Sequence, residues 1–141
     1  DAALSWKASR PDLIESVSIP DPVRAKNFAV RATVWLGEGT RVWLALVDRD
    51  GAIQSGALLS ASGAQLITPD ETVAAKGALP LEPGRWYDVA LVLEKGQGRV
   101  YVDGELACEA LSGLKTGPGW AQLKFRGQSA FVKKVAMRAL E

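Results

Sequence analysis

Histidine is absent from this chain of 141 residues. The commonest general base and the commonest metal ligand among side chains are therefore both missing. Cysteine occurs once, as Cys108. A single thiol cannot close an internal disulfide or build a zinc cluster, and no histidine is present to activate it, so Cys108 reads as a buried or incidental thiol. Neither sign of charge dominates, with 17 basic against 16 acidic side chains and a formal net charge of +1. Without a basic stripe the electrostatic case for a nucleic-acid partner falls away. No stretch reaches the ~20 apolar residues of a membrane-spanning helix, so insertion by that route is not expected. Linkers, internal repeats and low-complexity tracts are also lacking.

What is present is the composition of an ordered globular domain, 48% hydrophobic and 23% charged. The length suits one domain over residues 1–141 with a substantial core. The chain starts at Asp1 without a methionine, which fits either a piece of a larger protein or a mature form after signal removal.

The dominant pattern has a period of two. In residues 28–36, Phe28, Val30, Ala32, Val34 and Leu36 share one face while Arg31, Thr33 and Trp35 share the other. Residues 41–49 put Val42, Leu44 and Leu46 opposite Trp43, Ala45 and Val47. With Gly37-Glu38-Gly39 between them, these two runs predict a hairpin. Weaker strands follow over 52–60 and 63–68. An irregular stretch opens at Pro69-Asp70-Glu71, with one helical turn expected over 72–78. Residues 85–105 predict two strands and two tight turns, with Tyr87, Val89, Leu91 and Leu93 alternating against Trp86, Asp88, Ala90 and Val92. Gly96 and Gly98 interrupt the alternation, and Asp103-Gly104 supplies the second turn. Short strands over 105–110, 121–126 and 131–140 complete the chain, with a Gly/Pro loop over 112–119. The lead-in ending at Pro20-Asp21-Pro22 predicts an edge strand or surface loop. About nine or ten short strands with regular turn signals predict an all-β antiparallel sandwich or barrel.

Catalytic constellations are scarce. Asp48-Arg49-Asp50-Gly51 is the nearest to a carboxylate cluster, but it sits at a hairpin end and reads as turn chemistry. As a cation site it falls short of the six to eight oxygens calcium takes. No metal and no cofactor is expected.

Aromatic and arginine side chains carry the binding reading. Trp35 and Trp43 lie opposite the most aliphatic rows of their strands, so both are expected to face outward. An indole can bury the C–H face of a sugar ring while nearby polar groups take the hydroxyls. Arg31 shares the face of Trp35, and Arg41 and Arg49 share that of Trp43. An arginine fork can grip a carboxylate, including that of an acidic sugar. Tyr101, opposite Val100 and Val102, is a further candidate for a polar contact. Trp120 follows Gly117-Pro118-Gly119, as a ligand platform or as a lid on the core. The alternative for the tryptophans is that they cover the second sheet face or a neighbouring domain. Lys124, Arg126 and Lys133-Lys134 read as solvated charge.

Several segments resemble the laminin-G-like domains of the concanavalin A-like lectin/glucanase superfamily. Trp86-x-x-Val89-Ala90 followed by Val100-Tyr101-Val102-Asp103-Gly104 is similar to their central signature. Asn27-Phe28 through Leu36 resembles an early strand, Glu82-Pro83-Gly84-Arg85-Trp86 the approach to the central hairpin, and Phe131-Val132-Lys133-Lys134-Val135-Ala136-Met137 the closing strand. The run from Gly98 to Glu105 and the Asn27 strand are most similar to lectin-like domains attached to sialidases and trans-sialidases. The resemblance implies a two-sheet jelly roll and a structural, packing role for Trp86. It also implies a non-catalytic carbohydrate-binding module within a larger secreted or surface protein. Its partners would be a glycan and a neighbouring domain. Enzymes of this fold carry carboxylates at i, i+2 and about i+5 of one strand, a pattern this chain lacks. A structural or protein-interaction domain using Trp35 and Trp43 as an apolar patch is the rival reading. A glycosidase or lyase comes third.

Overall fold

The computed structural model describes residues 4–7, 15–18, 26–68, 73–77 and 79–140. The proline-rich segments at 20–22 and 69–71 lie outside them. Among the described residues the chain is all β, in twelve strands. These are β1 (Leu4–Lys7), β2 (Glu15–Ser18), β3 (Asn27–Leu36), β4 (Arg41–Val47), β5 (Ile53–Ser60) and β6 (Gly63–Ile67). They continue with β7 (Val73–Lys76), β8 (Trp86–Glu94), β9 (Gln97–Val102), β10 (Glu105–Ala110), β11 (Trp120–Arg126) and β12 (Ser129–Leu140). One six-stranded antiparallel sheet runs β1-β12-β3-β8-β9-β10; the other runs β2-β11-β4-β5-β6-β7. We call the first the front sheet and the second the back sheet. The lead-in strands β1 and β2 each form an edge.

The period-two pattern becomes the sandwich core. Phe28, Val30, Val34, Leu91, Leu93 and Val100 of the front sheet meet Val42, Leu44, Leu46, Leu59, Leu66 and Phe125 of the back sheet in one cluster. At ~25 cal/mol per Å² of apolar surface removed from water, this burial is the main force holding the sheets together. Gly98 belongs to this interior rather than breaking β9, since a Cβ there would overlap Leu114.

Two expectations fail. Residues 28–36 and 41–49 do not form a hairpin: β3 pairs with β8 and β12, whereas β4 pairs with β5 and β11. Their apolar rows face each other across the interior, so the Gly37–Thr40 connection is an arch from one sheet to the other. The arch rests on a second one between β11 and β12. Gly37 N–H donates to Ser129 O (2.9 Å), and the buried Thr40 hydroxyl accepts from Gln128 N (3.1 Å) and Ser129 N (3.2 Å). Gly127, at φ 124°, crosses so close that a Cβ would come within 2.6 Å of Thr40 Cα. The helical turn expected over 72–78 is also absent, because residues 73–76 extend as β7 against β6.

The turns of the 85–105 segment are held by side chains. Asn27 Oδ1 accepts from Lys95 N (2.9 Å), fixing the β8–β9 turn from a neighbouring strand. Asp103 N donates to Asp88 O (2.7 Å), and Asp88 N donates back to Asp103 Oδ1 (2.9 Å). The Asp103-Gly104 turn therefore grips the start of β8 as well as reversing the chain.

Candidate functional site

The outer face of the front sheet is where the alternation sends side chains the core does not need. Strand register arranges them in three successive rows across β12, β3 and β8. The first row is Phe131, Trp35 and Trp86; the second is Lys133, Thr33 and Asp88; the third is Ala136, Arg31 and Ala90, extended by Tyr101 on β9.

The aromatic row is a packed group with an open end. Trp35 meets Phe131 edge-on at 5.0 Å between centroids, and Phe131 lies 6.4 Å from Trp86. Lys133 Nζ caps one face of the Trp86 ring at 4.2 Å, within cation–π range. Trp86 is nonetheless 38% exposed. Large aromatics held on a sheet rather than a loop lose little freedom when a ring stacks on them.

Thr33 and Asp88 of the second row and all of the third row line a groove of ≈ 660 Å³, with Gly104 and Lys134 also among its walls. That size lies within the roughly 300–1,000 Å³ of small-ligand sites. The small Ala90 and Ala136 on either side of Arg31 leave the space above the sheet open. A register shift between Lys133 and Ala136 bulges β12, with Lys134 at φ 55°. Such bulges re-aim side chains, and this one brings Lys134 to the groove wall. Thr33 Oγ1 donates to Asp88 Oδ1 (2.7 Å), occupying one oxygen of the only carboxylate among the described lining residues. Arg99, on the same face, is engaged by Glu109 at 2.8 Å, which holds its guanidinium above its ordinary pKa. Arg85 contacts Asp103 at 3.5 Å.

The sequence profile of the Laminin_G_3 family, within the concanavalin A-like lectin/glucanases superfamily, matches residues 15–130. The chain belongs to this family. No curated protein matches it in sequence. Among solved structures it is similar to the carbohydrate binding module CBM66 from Bacillus subtilis, with a TM-score of 0.73, 14% identity, and coverage of 98% of this chain and 92% of that one. Sheep galectin-11, solved in complex with glycerol, has a TM-score of 0.58 at 16% identity, covering 93% of this chain and 99% of its own. Trypanosoma rangeli sialidase has a TM-score of 0.57 at 22% identity over 82% of this chain, which spans only 21% of that enzyme. At these identities the likeness is one of fold.

Against this Laminin_G_3 framework the sequence-predicted residues divide between the two sheets. Arg31 and Tyr101 line the same groove, and Trp35 lies two rows from Arg31. Arg41 is exposed but belongs to the back sheet. Trp43 does point away from the sandwich interior, yet it does not face solvent. It is 4% exposed, within a second apolar cluster of Ala45, Val47, Ile53 and Ile67, against which Leu58 and half-buried Trp120 pack. A shared Trp35/Trp43 surface is therefore overturned, both as a ligand site and as an apolar interaction patch.

Trp86 is a second correction. The resemblance implies a packing role for it, but Tyr87 takes the inward position, buried with its hydroxyl accepting from Glu82 N at 2.7 Å, and Trp86 is turned to the outer face. The signal was in the sequence, since Tyr87 is in phase with Val89, Leu91 and Leu93. Thr33, Asp88, Phe131 and the Lys133-Lys134 pair are the side chains of this face that sequence reasoning missed. At the β4–β5 connection, Asp48 behaves as turn chemistry, its Oδ1 accepting from Asp50 N and Ala52 N (2.9 Å each). Among the described residues no group of three or more potential ligands gathers as a metal site.

Proposed function

We propose that this chain is a non-catalytic carbohydrate-binding module that takes its glycan on the outer face of the front sheet. The observation carrying this reading is the juxtaposition, on rigid central strands, of an aromatic row with exposed Trp86 and an open groove of polar side chains. Trp35 and Trp86 supply ring-stacking surface, and Arg31, Tyr101 and Asp88 supply hydrogen bonds. Trp86 lies four residues along β8 from Ala90, about 13 Å at 3.3–3.4 Å per residue. One sugar cannot span that distance, so the face suits an oligosaccharide of two or more rings. The fold shared with a protein described as a carbohydrate binding module supports the same class of ligand.

Cleavage is not expected. Most glycosidases need two carboxylates about 5–9.5 Å apart, and Asp88 stands alone in the described lining and is already bonded to Thr33. A shallow site of this kind binds weakly on its own, and attachment to a larger secreted or surface protein, including a sialidase-like one, would supply avidity. Among the described residues no helix is long and apolar enough to cross a membrane.

The test is a glycan array probed with the parent chain and with Arg31→Ala, Trp86→Ala and Arg41→Ala. Binding lost in the first two variants and kept in the third is expected. Equal binding by all four would place the ligand elsewhere, and silence of the parent would favour an interaction domain instead.

A further inference from the structure

We infer that the groove is built for a sugar acid, with the ligand carboxylate held by Arg31 and supported by Lys134. This rests on the reading of the front face as a glycan site and adds the charge and position of one recognised group.

Some polar groups of the groove are already satisfied and others are not. The charged side chains lining the groove are Arg31, Lys134 and Asp88. Asp88 has one oxygen occupied by the Thr33 hydroxyl, which spends its own proton in that bond. Among the described residues neither Arg31 nor Lys134 has an acidic or hydrogen-bonding partner, whereas Arg99 is paired with Glu109 and Arg85 with Asp103. Arg31 is thus the one arginine among the described lining residues of the groove, and its guanidinium is left free.

Donor and acceptor counts sharpen this. Arg31 offers five N–H donors and Lys134 three, and Tyr101 can donate or accept. Against them stands chiefly the remaining oxygen of Asp88. Neutral sugar hydroxyls each bring a donor as well as acceptors, and many of those donors would go unmatched here. A carboxylate brings acceptors only, and its planar pair of oxygens matches the guanidinium fork. Arg31 is flanked in the ladder by Ala90 and Ala136, so nothing on the adjacent strands covers the fork from the sides. The β12 bulge places Lys134 as a second cation at the same opening. A glycan with its acidic residue over the third row then has its next rings running toward the aromatic row.

An array carrying neutral, sulfated, uronate-bearing and sialate-bearing glycans, followed by calorimetry on the best ligand, tests the assignment. Signal concentrated on carboxylate-bearing glycans, and abolished when the carboxylate is methyl-esterified, is expected. Arg31→Ala should weaken that ligand about tenfold or more, as expected for hydrogen bonds to a charged group. Arg31→Lys should retain part of the affinity, and Lys134→Gln should lose less than Arg31→Ala. Both positions are on the outer face, and unchanged melting curves of the three variants would confirm intact folding. Binding confined to neutral or sulfated glycans, or surviving esterification, would overturn this inference and leave the carbohydrate-binding reading standing. Silence across the whole array would remove both.

Discussion

Thr33 and Asp88 stand opposite each other across the β3–β8 ladder, and the threonine hydroxyl donates to Asp88 Oδ1 at 2.7 Å. The bond engages the groove's one described carboxylate within the same row that separates Arg31 from the aromatic side chains. Asp88→Asn removes the like charge that an anionic ligand would meet. A charge a few ångströms away through water contributes about 1 kcal/mol or less, so affinity for a sugar acid should rise roughly threefold at low salt. Calorimetry at two ionic strengths checks this, because the gain should shrink as salt screens it.

Trp86 and Arg31 lie in the first and third rows, with one row between them, so their contributions should be separable by ligand length. Trp86→Ala is expected to weaken an oligosaccharide while leaving a single sugar acid nearly unaffected. Arg31→Ala should weaken both. NMR titrations with a monosaccharide acid and its oligomers would read the difference directly, and equal sensitivity of the monosaccharide to both variants would contradict the row geometry.

The tryptophans should differ in stability as well as in binding. Trp43 is 4% exposed in its apolar cluster. Trp43→Ala should cost about 3–5 kcal/mol, the range for emptying a buried aromatic site. Trp86→Ala should change stability by under about 1 kcal/mol, as a largely surface substitution. Chemical denaturation of the two variants side by side gives both numbers.

How far the sequence could be read depended on which physical question each residue posed. Alternation identifies the two faces of a strand, so the inward row of β3 and the outward row of Arg31, Thr33 and Trp35 were both legible. It does not say what lies over a face. Trp35 and Trp43 carry the same local pattern, yet one borders an open groove and the other is covered. Nor does a Gly-Glu-Gly connection distinguish a hairpin from an arch, because the partners that decide it, β8 and β12 for β3, lie far along the chain. The rows of the site are invisible for the same reason. Asp88, Phe131 and Lys134 come from distant segments, and only register brings them beside Thr33, Trp35 and Arg31.

The stacked arches offer a test of their own. Thr40 is buried, and its hydroxyl accepts two backbone N–H groups from the neighbouring arch. Thr40→Val keeps the shape and leaves both donors unmatched. A loss of about 2 kcal/mol is expected from the cost of unsatisfied buried polar groups, measurable as a lowered denaturation midpoint. Thr40→Ser should restore most of it.

Cys108 carries a pH signature. Burial pushes its thiol up from 9.0 to about 11. Between those values the unfolded chain loses its thiol proton while the folded chain keeps it, so stability should fall as pH rises from about 9 toward 11. The decline attributable to this group is of order 2 kcal/mol, from the free energy of a two-unit shift. Cys108→Ala should flatten that segment of the pH profile, and alkylation of the native thiol at neutral pH should be slow.

The division of β3 and β8 into inward and outward residues has an evolutionary consequence. Every second residue answers to the core, and its neighbours answer to whatever approaches from solvent. Outward positions such as Arg31, Thr33, Asp88 and Ala90 can be exchanged without disturbing Val30, Ala32, Val34, Val89 or Leu91. New selectivity can therefore arise by single substitutions on an unchanged scaffold, which makes this face a natural surface for directed diversification.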